Sequence, residues 1–409
     1  MTDSENELRV LVVATTFPRW AGDAEPRFVF DLTQRLAKKV SLWALVPHAP
    51  GAEEYETMEG VRIIRYPYAY PKSQQVLCYE GGILPKLKSN PSAKKQLPGF
   101  LLAQAYHLWR TVRKHKINFI HCHWIVPQGF FVSLIHSITG IPFILTALGG
   151  DVYAFQKNPI ARAIKRFALS RASACAVNSL SVKETLESIY ADGVYPYIPN
   201  GVDETIFCAE KYDPQLKSKL GIEGPFLLGV GRFAEKKGFR YLIDALPKIL
   251  EEEPSARLVL VGFGPEEEAL KCQVQELGLT GKVLFPGSKS GEELARFYAT
   301  ADVFIGPSII AESGDTEGQG VVFLEALASK TAVVASDVGG IVDMIKDGKT
   351  GLTVPQKNSP ALAEKIIALC KNPELKQELA ENGRRLVEEH YCWNAIAEKY
   401  LKLYKTIKL

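Results

Sequence analysis

The sequence has few cysteines and no pattern that would pair them. Seven occur among 409 residues, an odd number, and they form neither a CxxC pair nor a close cluster. Disulfide frameworks and zinc ribbons need such pairs, so both are excluded. We expect most of these cysteines to be buried as small apolar residues. A catalytic thiol is disfavoured because no local signature accompanies any of them.

Long apolar runs are missing as well. No stretch of about 18 uncharged apolar residues occurs, so no membrane-spanning helix is predicted. The first nine residues, MTDSENELR, lack the basic-then-apolar order of a signal peptide. We therefore expect a cytoplasmic protein, and secreted two-lobed binding proteins are disfavoured. With 46% hydrophobic and 23% charged residues, the composition is that of a globular chain of two or three domains.

Acidic residues are absent from one long segment. None lies between Glu80 and Asp151, and residues 1–200 carry a net charge of +8 against −5 for the remainder, which gives the total of +3. Two interpretations stay open: a solvated basic face, or attraction to an anionic surface such as phospholipid headgroups or a phosphorylated acceptor. The second would place the protein peripherally on the inner face of the membrane. Nucleic acid is disfavoured because no recognised binding motif accompanies the basic residues.

Short apolar runs alternate with amphipathic helical stretches, and a Pro-Asn-Gly turn at 199–201 divides the alternation into two halves. This pattern predicts an α/β fold of two doubly wound, Rossmann-like domains, each with a parallel sheet covered on both faces. The predicted strands are Leu8–Thr15, Val40–Val46, Val61–Arg65, Asn118–His123, Pro142–Thr146, Ala174–Asn178 and Tyr195–Pro199, then Phe226–Val230, Leu258–Gly262, Lys282–Phe285, Ala301–Ile305, Ala332–Ala335 and Leu352–Val354.

Three further segments complete this prediction. Arg27–Lys39 reads as a helix, and Trp393–Lys408 as a C-terminal helix that packs on another element. Residues 66–98 hold four Tyr, five Pro and five Lys without a clear period. A loop of this length inside a compact domain is usually functional or disordered, and its aromatic content favours a functional, partly ordered loop.

Glycine and charged residues follow the strand Phe226–Val230. Ligands bind beyond the carboxyl ends of strands in open α/β sheets. Gly231 allows close backbone approach, and Arg232 and Lys237 stand ahead of a predicted helix, which suits a diphosphate. Taken alone, the segment fits an ordinary strand–helix turn with exposed charges equally well.

A second motif places two glutamates eight residues apart around a glycine-rich run, EGQGVVFLE. If a helix begins near Gly320, its free N–H groups face a ligand and its dipole favours an anion there. Glu317 precedes that helix and can reach a polyol. Glu325 lies in its first turns among apolar neighbours, where a carboxylate favours a hydroxyl-rich partner such as a ribose. The alternative is a helix with one exposed and one N-terminal glutamate.

Together these motifs resemble the retaining glycosyltransferases of the GT-B group called family 4. The resemblance covers nearly the whole chain, and the joint order and spacing of its motifs carry it. The motifs are Phe17-Pro18-Arg19-Trp20-Ala21-Gly22, His121-x-His123-Trp124, the turn at 198–203, the Arg232 and Lys237 segment, Val261-Gly262-Phe263-Gly264-Pro265, Phe285-Pro286-Gly287, Gly306-Pro307-Ser308, Glu317-x7-Glu325, Asp337-Val338-Gly339-Gly340 and Asp347-Gly348-x-Thr350-Gly351-Leu352.

The resemblance implies a role for each matching residue. It assigns Arg232 and Lys237 to the nucleotide diphosphate, Glu317 to the hydroxyls of the transferred sugar and Glu325 to the ribose. The remaining donor-binding positions are Gly318, the backbone N–H groups of Gln319 and Gly320 near the sugar and of Val321 and Val322 near phosphate, and Gly22 where the diphosphate approaches across the cleft. The resemblance implies catalytic roles for Glu317, Arg232 and Lys237. No Asp-x-Asp occurs, so neither a metal nor another cofactor is expected.

The sequence departs from the family pattern after Pro142–Thr146. Where the family often has His-Gly-x-Asp, this chain has Leu148-Gly149-Gly150-Asp151, and leucine cannot hydrogen-bond the sugar. The first loop has Ala-Gly where the family often has paired glycines. His121 and His123 share one side of a strand, which would suit a metal pair, but a third ligand is missing nearby. We expect one histidine to pack and His123 to face the cleft, with Asp151 a second cleft candidate or the N-cap of a short turn.

These observations predict a metal-independent retaining hexosyltransferase of GT-B fold, with two Rossmann-like domains facing across a cleft. Residues 1–200 would bind the acceptor, residues 201–388 the nucleotide-diphosphate sugar, and residues 389–409 would form a helix packing back on the N-terminal domain. The acceptor would be a saccharide or a lipid-linked molecule in polysaccharide or glycolipid synthesis. Alternatives are a non-catalytic nucleotide-sugar-binding protein, which Leu148 keeps open, and a nucleotide-sugar epimerase. A Rossmann dehydrogenase is disfavoured because no GxGxxG opens the first strand–helix turn.

Overall fold

The computed structural model describes residues 8–23, 25–79, 81–156 and 158–407. They form two compact units: residues 8–199 together with 396–407, and residues 200–395. Each unit is built around its own sheet of mainly parallel strands with helices packed against it. The α/β class with two Rossmann-like units that the sequence predicts is therefore confirmed.

The described part of the first unit has a seven-stranded sheet. Its strands are β1 (Arg9–Val13), β2 (Ser41–Pro47), β3 (Tyr55–Met58), β4 (Val61–Tyr66), β5 (Phe119–His123), β6 (Phe143–Ala147) and β7 (Ala174–Val177), in the spatial order β3-β4-β2-β1-β5-β6-β7. All neighbours pair in parallel except β3, which runs antiparallel to β4. Strands β5 and β6 are buried along their whole length, as expected for a sheet covered on both faces.

Helices connect these strands and cover the sheet. They are α1 (Phe28–Ala37), α2 (Ile83–Ser89), α3 (Pro91–Lys114), α4 (Phe130–Thr139), α5 (Gly150–Tyr153), α6 (Pro159–Leu169) and α7 (Leu180–Ile189). The long helix α3 begins where Asn90 accepts a hydrogen bond from the backbone N–H of Ser92 at 2.9 Å, with proline at the first helical position. Side chains of Asn158 and Ser179 cap α6 and α7 in the same way.

Two predictions for the first unit are wrong. The loop predicted at 66–98 is helical in its second half: Tyr66 ends β4, α2 occupies Ile83–Ser89, and α3 starts at Pro91. Three of its five prolines lie in these helices: Pro91 is the first residue of α3, where proline is favoured, and Pro85 and Pro98 lie inside α2 and α3. The strand predicted at Tyr195–Pro199 is reduced to a single bridge between Tyr197 and Val177. The short antiparallel strand β3 escaped the sequence pattern.

The described part of the second unit has a six-stranded sheet, parallel throughout. Its strands are β8 (Phe226–Val230), β9 (Arg257–Val261), β10 (Val283–Leu284), β11 (Val303–Gly306), β12 (Ala332–Ser336) and β13 (Leu352–Val354), ordered β10-β9-β8-β11-β12-β13. Its helices are α8 (Pro214–Lys219), α9 (Phe239–Glu252), α10 (Glu267–Glu276), α11 (Gly291–Thr300), α12 (Val321–Ala328), α13 (Ile341–Met344), α14 (Ser359–Lys371) and α15 (Pro373–His390), followed by α16 (Trp393–Thr406), which passes into the first unit at Ile396.

Buried tyrosines fix α16 to the first sheet. The hydroxyl of Tyr404 lies 2.7 Å from Nδ1 of His121, and Nε2 of that histidine lies 2.8 Å from Oγ1 of Thr146. The same threonine oxygen is 2.9 Å from the hydroxyl of Tyr400. The C-terminal helix therefore packs on another element, as predicted.

Cys78, Cys122, Cys175 and Cys208 are buried, as expected of small apolar residues. No helix in the described ranges combines the length and the hydrophobicity needed to cross a membrane.

Candidate functional site

Three loops of the second unit meet at the carboxyl ends of neighbouring strands. The loop after β8 holds residues 231–238, the loop after β11 leads to α12, and the loop after β12 contains Gly339 and Gly340. Because β8, β11 and β12 are adjacent in the sheet, these loops share one edge. The charged residues of the two sequence motifs therefore lie at the same edge of the sheet.

Arg232 and Lys237 belong to the first of these loops. Arg232 is exposed, whereas the side chain of Lys237, in a single 3-10 turn at Glu235–Lys237, is only 13% exposed. Gly238 follows in the left-handed region with φ of 63°, and a Cβ there would lie 2.0 Å from the carbonyl oxygen of Pro307. Only glycine permits this approach of the loops after β8 and β11.

Lys237 and Glu317 form an ion pair. Nζ of Lys237 lies 3.0 Å from Oε1 of Glu317, whose side chain is 8% exposed. Burial opposes ionisation of Glu317, but the positive charges of Lys237 and Lys236 outweigh it and lower the pKa of the carboxyl. The two residues that the resemblance assigns to phosphate and to sugar are therefore both charged and in contact.

The loop after β12 holds the backbone of Glu317. Gly340 donates its N–H to the carbonyl oxygen of Glu317 at 3.1 Å. Gly339 has φ of 55°, and a Cβ there would lie 2.3 Å from the same oxygen. A larger residue at 339 would displace Glu317, so the glycine pair positions the carboxylate.

Helix α12 begins at Val321 with Gly320 as its N-cap, which confirms the predicted helix start. As the first residues of the helix, Val321 and Val322 have N–H groups without intrahelical acceptors, at the positive end of the helix dipole. The side chain of Gln319 is used differently: it accepts the N–H of Asn200 at 2.7 Å and donates to its carbonyl oxygen at 3.0 Å. The side chain of Gln319 thus holds Asn200 of the Pro-Asn-Gly turn. Only the backbone of Gln319 is then left to contact a ligand.

Glu325 lies partly buried one turn further along α12. The hydroxyl of Tyr298, a residue of α11 that the sequence analysis missed, donates to Oε2 of Glu325 at 2.8 Å. Burial raises the pKa of Glu325 to about 7, although the Tyr298 hydroxyl and nearby Lys237 favour the ionised form. A single tyrosine inside an amphipathic helix gives no sequence signal of such a partnership.

The candidates in the first unit are placed differently. Gly22 is exposed, with φ of 79°. His123 is 2% exposed and stacks on His121 with ring centroids 4.4 Å apart. Both histidines are therefore buried on β5, which is buried along its whole length, and the expectation that His123 faces the cleft stays a prediction.

Asp151 is also buried, and it serves the backbone. Its carboxylate accepts the N–H of Ile125 at 2.8 Å and the N–H of Leu148 at 3.1 Å. Burial raises the pKa of Asp151, against the effect of these hydrogen bonds. The carboxylate thereby orders the turn that carries Leu148, which corresponds to the capping alternative for Asp151.

The described ranges offer no cluster of metal ligands. In these ranges no group of three or more His, Cys, Asp or Glu side chains is arranged to hold a metal ion. His121 and His123 therefore lack a third ligand there, and both nitrogens of His121 already lie within hydrogen-bond distance of hydroxyl groups.

Comparison with protein-family models gives two matches. Residues 213–386 match the model described as glycosyl transferases group 1, and residues 26–205 match the model of glycosyltransferase family 4. The two matches lie almost entirely in different units of the structure.

Curated relatives agree with these matches. The chain is 30% identical over 305 residues to an uncharacterised glycosyltransferase of Methanocaldococcus jannaschii, covering 71% of this chain and 75% of that one. It is 30% identical to the phosphatidyl-myo-inositol mannosyltransferase of Mycobacterium leprae over 283 residues, 69% of this chain and 68% of the relative. A GDP-mannose-dependent phosphatidylinositol monomannoside mannosyltransferase of Mycobacterium tuberculosis is 26% identical over 96% of both chains.

Solved structures share the fold. Sucrose-phosphate synthase of Thermosynechococcus elongatus matches with a TM-score of 0.79 at 24% identity, over 98% of this chain and 99% of that one. HepE of Anabaena, solved in complex with UDP, matches with a TM-score of 0.73 at 17% identity, over 98% and 100%. With two Rossmann-like units, two family models and relatives at 30% identity, the chain belongs to the GT-B glycosyltransferases of family 4.

Proposed function

We propose that this glycosyltransferase moves a hexosyl group, with retention of anomeric configuration, from a nucleotide-diphosphate sugar to a saccharide or lipid-linked acceptor. The observation that carries the proposal is the Lys237–Glu317 pair, 3.0 Å apart beside the start of α12. A sugar diphosphate needs cations for its phosphates and a carboxylate for its hydroxyls at neighbouring points. In the second unit, Lys237 supplies the cation and Glu317 the carboxylate, and the two side chains are in contact.

Each part of the donor would meet a chemically matched group. The diphosphate would take Lys237, Arg232 and the N–H groups of Val321 and Val322, which together oppose its charge. Glu317 would accept hydrogen bonds from hydroxyls of the hexose. Glu325 would accept them from the ribose, once its proton is lost.

The transfer would proceed on the face that the diphosphate leaves. The bond between the anomeric carbon and the phosphate oxygen breaks, and the acceptor oxygen bonds to that carbon from the same side. The acceptor proton passes to the departing phosphate, so the products are the glycosylated acceptor and a nucleoside diphosphate. Lys237 and Arg232 stabilise the negative charge that develops on the departing diphosphate. In metal-dependent enzymes a bound metal ion has this role.

The acceptor side of the proposal rests on the relatives. Two of them are named for transferring mannose to phosphatidylinositol-based lipids. We propose an acceptor of this broad kind, a lipid-linked or free saccharide of cell-surface polysaccharide or glycolipid synthesis. The basic first unit, with its net charge of +8 over residues 1–200, would receive it.

A stepwise assay tests the proposal. Thermal shifts with UDP, GDP, UDP-glucose and GDP-mannose identify the donor, since a ligand at 100 times its Kd adds about 2.7 kcal/mol of stability. Transfer from that donor is then measured with phosphatidylinositol and simple saccharides, with and without EDTA. NMR of the product should show the donor's anomeric configuration, and EDTA should have no effect. An inverted product or loss of activity in EDTA would contradict the mechanism.

A non-catalytic binding protein is the second candidate, because Leu148 stands where the family often has a histidine. In that case the sugar nucleotide would bind and shift the melting temperature, but nucleoside diphosphate would not be released with any acceptor. Leu148→His then provides a sharp comparison. Activity that appears only in the variant would favour the binding protein, whereas turnover by the natural chain excludes it.

A further inference from the structure

Helix α3 in the first unit has one face that its own fold leaves uncovered. The opposite face is anchored on the sheet by buried residues that include Phe100, Leu108 and Val112. The uncovered side carries Leu102, which is 74% exposed, and Tyr106, which is 57% exposed. Large apolar side chains of this exposure, one turn apart, cost solvation free energy in a protein that works only in water.

Basic residues surround this apolar pair. Lys95 and Arg113 lie seven and eleven residues from Leu102, so both share its side of the helix, and Lys94 and Arg110 flank it. All four are exposed. We call these six residues the α3 face: Lys94, Lys95, Leu102, Tyr106, Arg110 and Arg113.

The basic side chains of the α3 face form no ion pair with any carboxylate that the structure describes. The whole segment 81–150, which contains α3, has no acidic residue. The guanidinium of Arg113 lies over the ring of Trp109, one turn earlier on the same helix, at 4.4 Å from the ring centroid.

We propose that the α3 face docks on an anionic lipid surface, with Leu102 and Tyr106 entering the headgroup boundary and the four basic residues binding lipid phosphates. An apolar stripe flanked by cations is the pattern of helices that lie in the plane of a membrane. Helix α3 has 24 residues, roughly 36 Å, enough to contact several headgroups at once. The inference goes beyond the proposed function, since docking would hold whichever sugar is transferred.

The face also changes which lysines matter. Four lysines, Lys86, Lys88, Lys94 and Lys95, lie close together in the sequence of the acid-free segment. Lys86 has a partner within the protein, however, and it is only partly exposed. The centre of the α3 face is formed instead by Lys95 and Arg113, which lie on the same side of the helix as Leu102.

Vesicle co-sedimentation tests the proposal on the full chain. Vesicles of phosphatidylcholine with phosphatidylglycerol are compared with phosphatidylcholine alone, at about 0.05 M and about 0.5 M salt. Lys95→Gln with Arg113→Gln should weaken binding to the anionic vesicles about thirtyfold, at about fivefold per cation. Lys38→Gln with Lys39→Gln is the matched control, since both lysines are exposed in the same unit and the charge change is equal. The control should lose little.

The apolar contribution needs its own pair of variants. Leu102→Ser with Tyr106→Ser should weaken binding about tenfold at either salt concentration, because insertion does not depend on charge. Ile138→Ser with Ile160→Ser is the control, since each isoleucine is 71% exposed on other helices of the unit. Thermal unfolding and nucleotide binding are measured on all variants and should be unchanged.

Three results would overturn the proposal. They are absence of binding to anionic vesicles at low salt, equal losses in the α3 and Lys38/Lys39 variants, or RNA binding that depends on Lys95 and Arg113 and displaces the vesicles. Nucleotide binding separates the two proposals. If it persists while vesicle binding fails, only the docking surface is wrong; if it fails while vesicles bind, only the proposed donor site is wrong.

Discussion

In the first unit, the polar side chains at the carboxyl ends of β5 and β6 are buried and serve the fold. His121 and Thr146 bind tyrosines of α16, and Asp151 binds backbone N–H groups. In the second unit, the residues after β8 and β11 carry opposite charges and face each other across 3.0 Å. The carboxyl-end edge of the first sheet is therefore occupied by structural hydrogen bonds, whereas that of the second sheet carries an ion pair. A histidine pair in a sequence is accordingly weaker evidence of a binding site than a cation and a carboxylate that follow adjacent strands.

The comparison extends to pH. Burial lowers the pKa of His123 to about 3 and that of His121 well below its usual value, so both imidazoles are neutral in the folded protein. In the second unit, burial raises the pKa of Glu325 to about 7. A fall in pH below about 6.5 should therefore lower the stability of the first unit, whereas a rise in pH from about 4.5 to 7 should lower the stability of the second unit at Glu325.

The largest effect is expected from Glu317→Gln. Loss of a charged acceptor for sugar hydroxyls should reduce turnover by about 10- to 100-fold, as for a charge-assisted hydrogen bond. Affinity for a free nucleoside diphosphate should stay the same or increase, because Lys237 is released from its partner. Glu364→Gln, at an exposed ion pair with Lys248, is the control for loss of one carboxylate. Equal losses of turnover and nucleotide affinity would show that Glu317 does not contact the sugar.

The stacked histidines should differ when each is replaced by leucine. His121→Leu leaves the hydroxyl of Tyr404 without its partner and Thr146 with only Tyr400, and it should lower the free energy of unfolding by about 1–3 kcal/mol. His123→Leu removes ring nitrogens that have no hydrogen-bond partner in the described structure and should be nearly neutral at pH 8. Urea denaturation compares them, and equal destabilisation would mean that His123 has a partner, such as an acceptor hydroxyl.

His123→Leu should also change the pH dependence of stability. His123 stays unprotonated in the folded protein down to about pH 3, whereas in the unfolded chain it is protonated below about pH 6.5. The free energy of unfolding should therefore decrease as the pH is lowered from about 6.5 to 3. The variant should therefore gain about 2 kcal/mol relative to the natural chain at pH 5. A difference that does not vary between pH 5 and pH 8 would contradict a neutral, buried imidazole.

The smallest effect is expected at Glu325, and with the opposite sign. Glu325 stays protonated in the folded protein up to about pH 7, whereas its ordinary pKa is 4.5. The free energy of unfolding should therefore decrease as the pH rises from 4.5 to about 7. Glu325→Gln keeps an acceptor for Tyr298 and should gain about 1–2 kcal/mol at pH 8, allowing for partial exposure, and nothing at pH 4. Thermal unfolding at the two pH values decides, and a gain at pH 4 would refute a raised pKa.

Sequence predicted the sheets well because their strands are fully buried. Runs such as Phe226–Val230 and Ala332–Ala335 recur in the structure within a residue, since a strand covered on both faces is apolar throughout. The segment 66–98 failed for the opposite reason. Helix α2 is short and α3 holds a proline at 98, so neither shows a clean helical period.

The site was predictable as far as charge and backbone permit. Lys237, Glu317 and the start of α12 follow from motifs at strand ends. Tyr298 and the support of Glu317 by Gly340 do not, because each depends on contacts between residues far apart in the chain. The burial of His123 could not be predicted either, since alternation along a strand tells which residues share a face and not what covers it.

Calorimetric titration of nucleoside diphosphate tests the central claim that the second unit holds the diphosphate between Lys237 and the start of α12. The natural chain, Lys237→Ala and Lys248→Ala are titrated with UDP and with GDP, the last variant serving as control because Lys248 is an exposed lysine of the same unit paired with Glu364. Loss of one charge-assisted phosphate contact should raise the Kd about 10- to 100-fold in Lys237→Ala and leave Lys248→Ala unchanged. Equal affinity in all three proteins would contradict the claim.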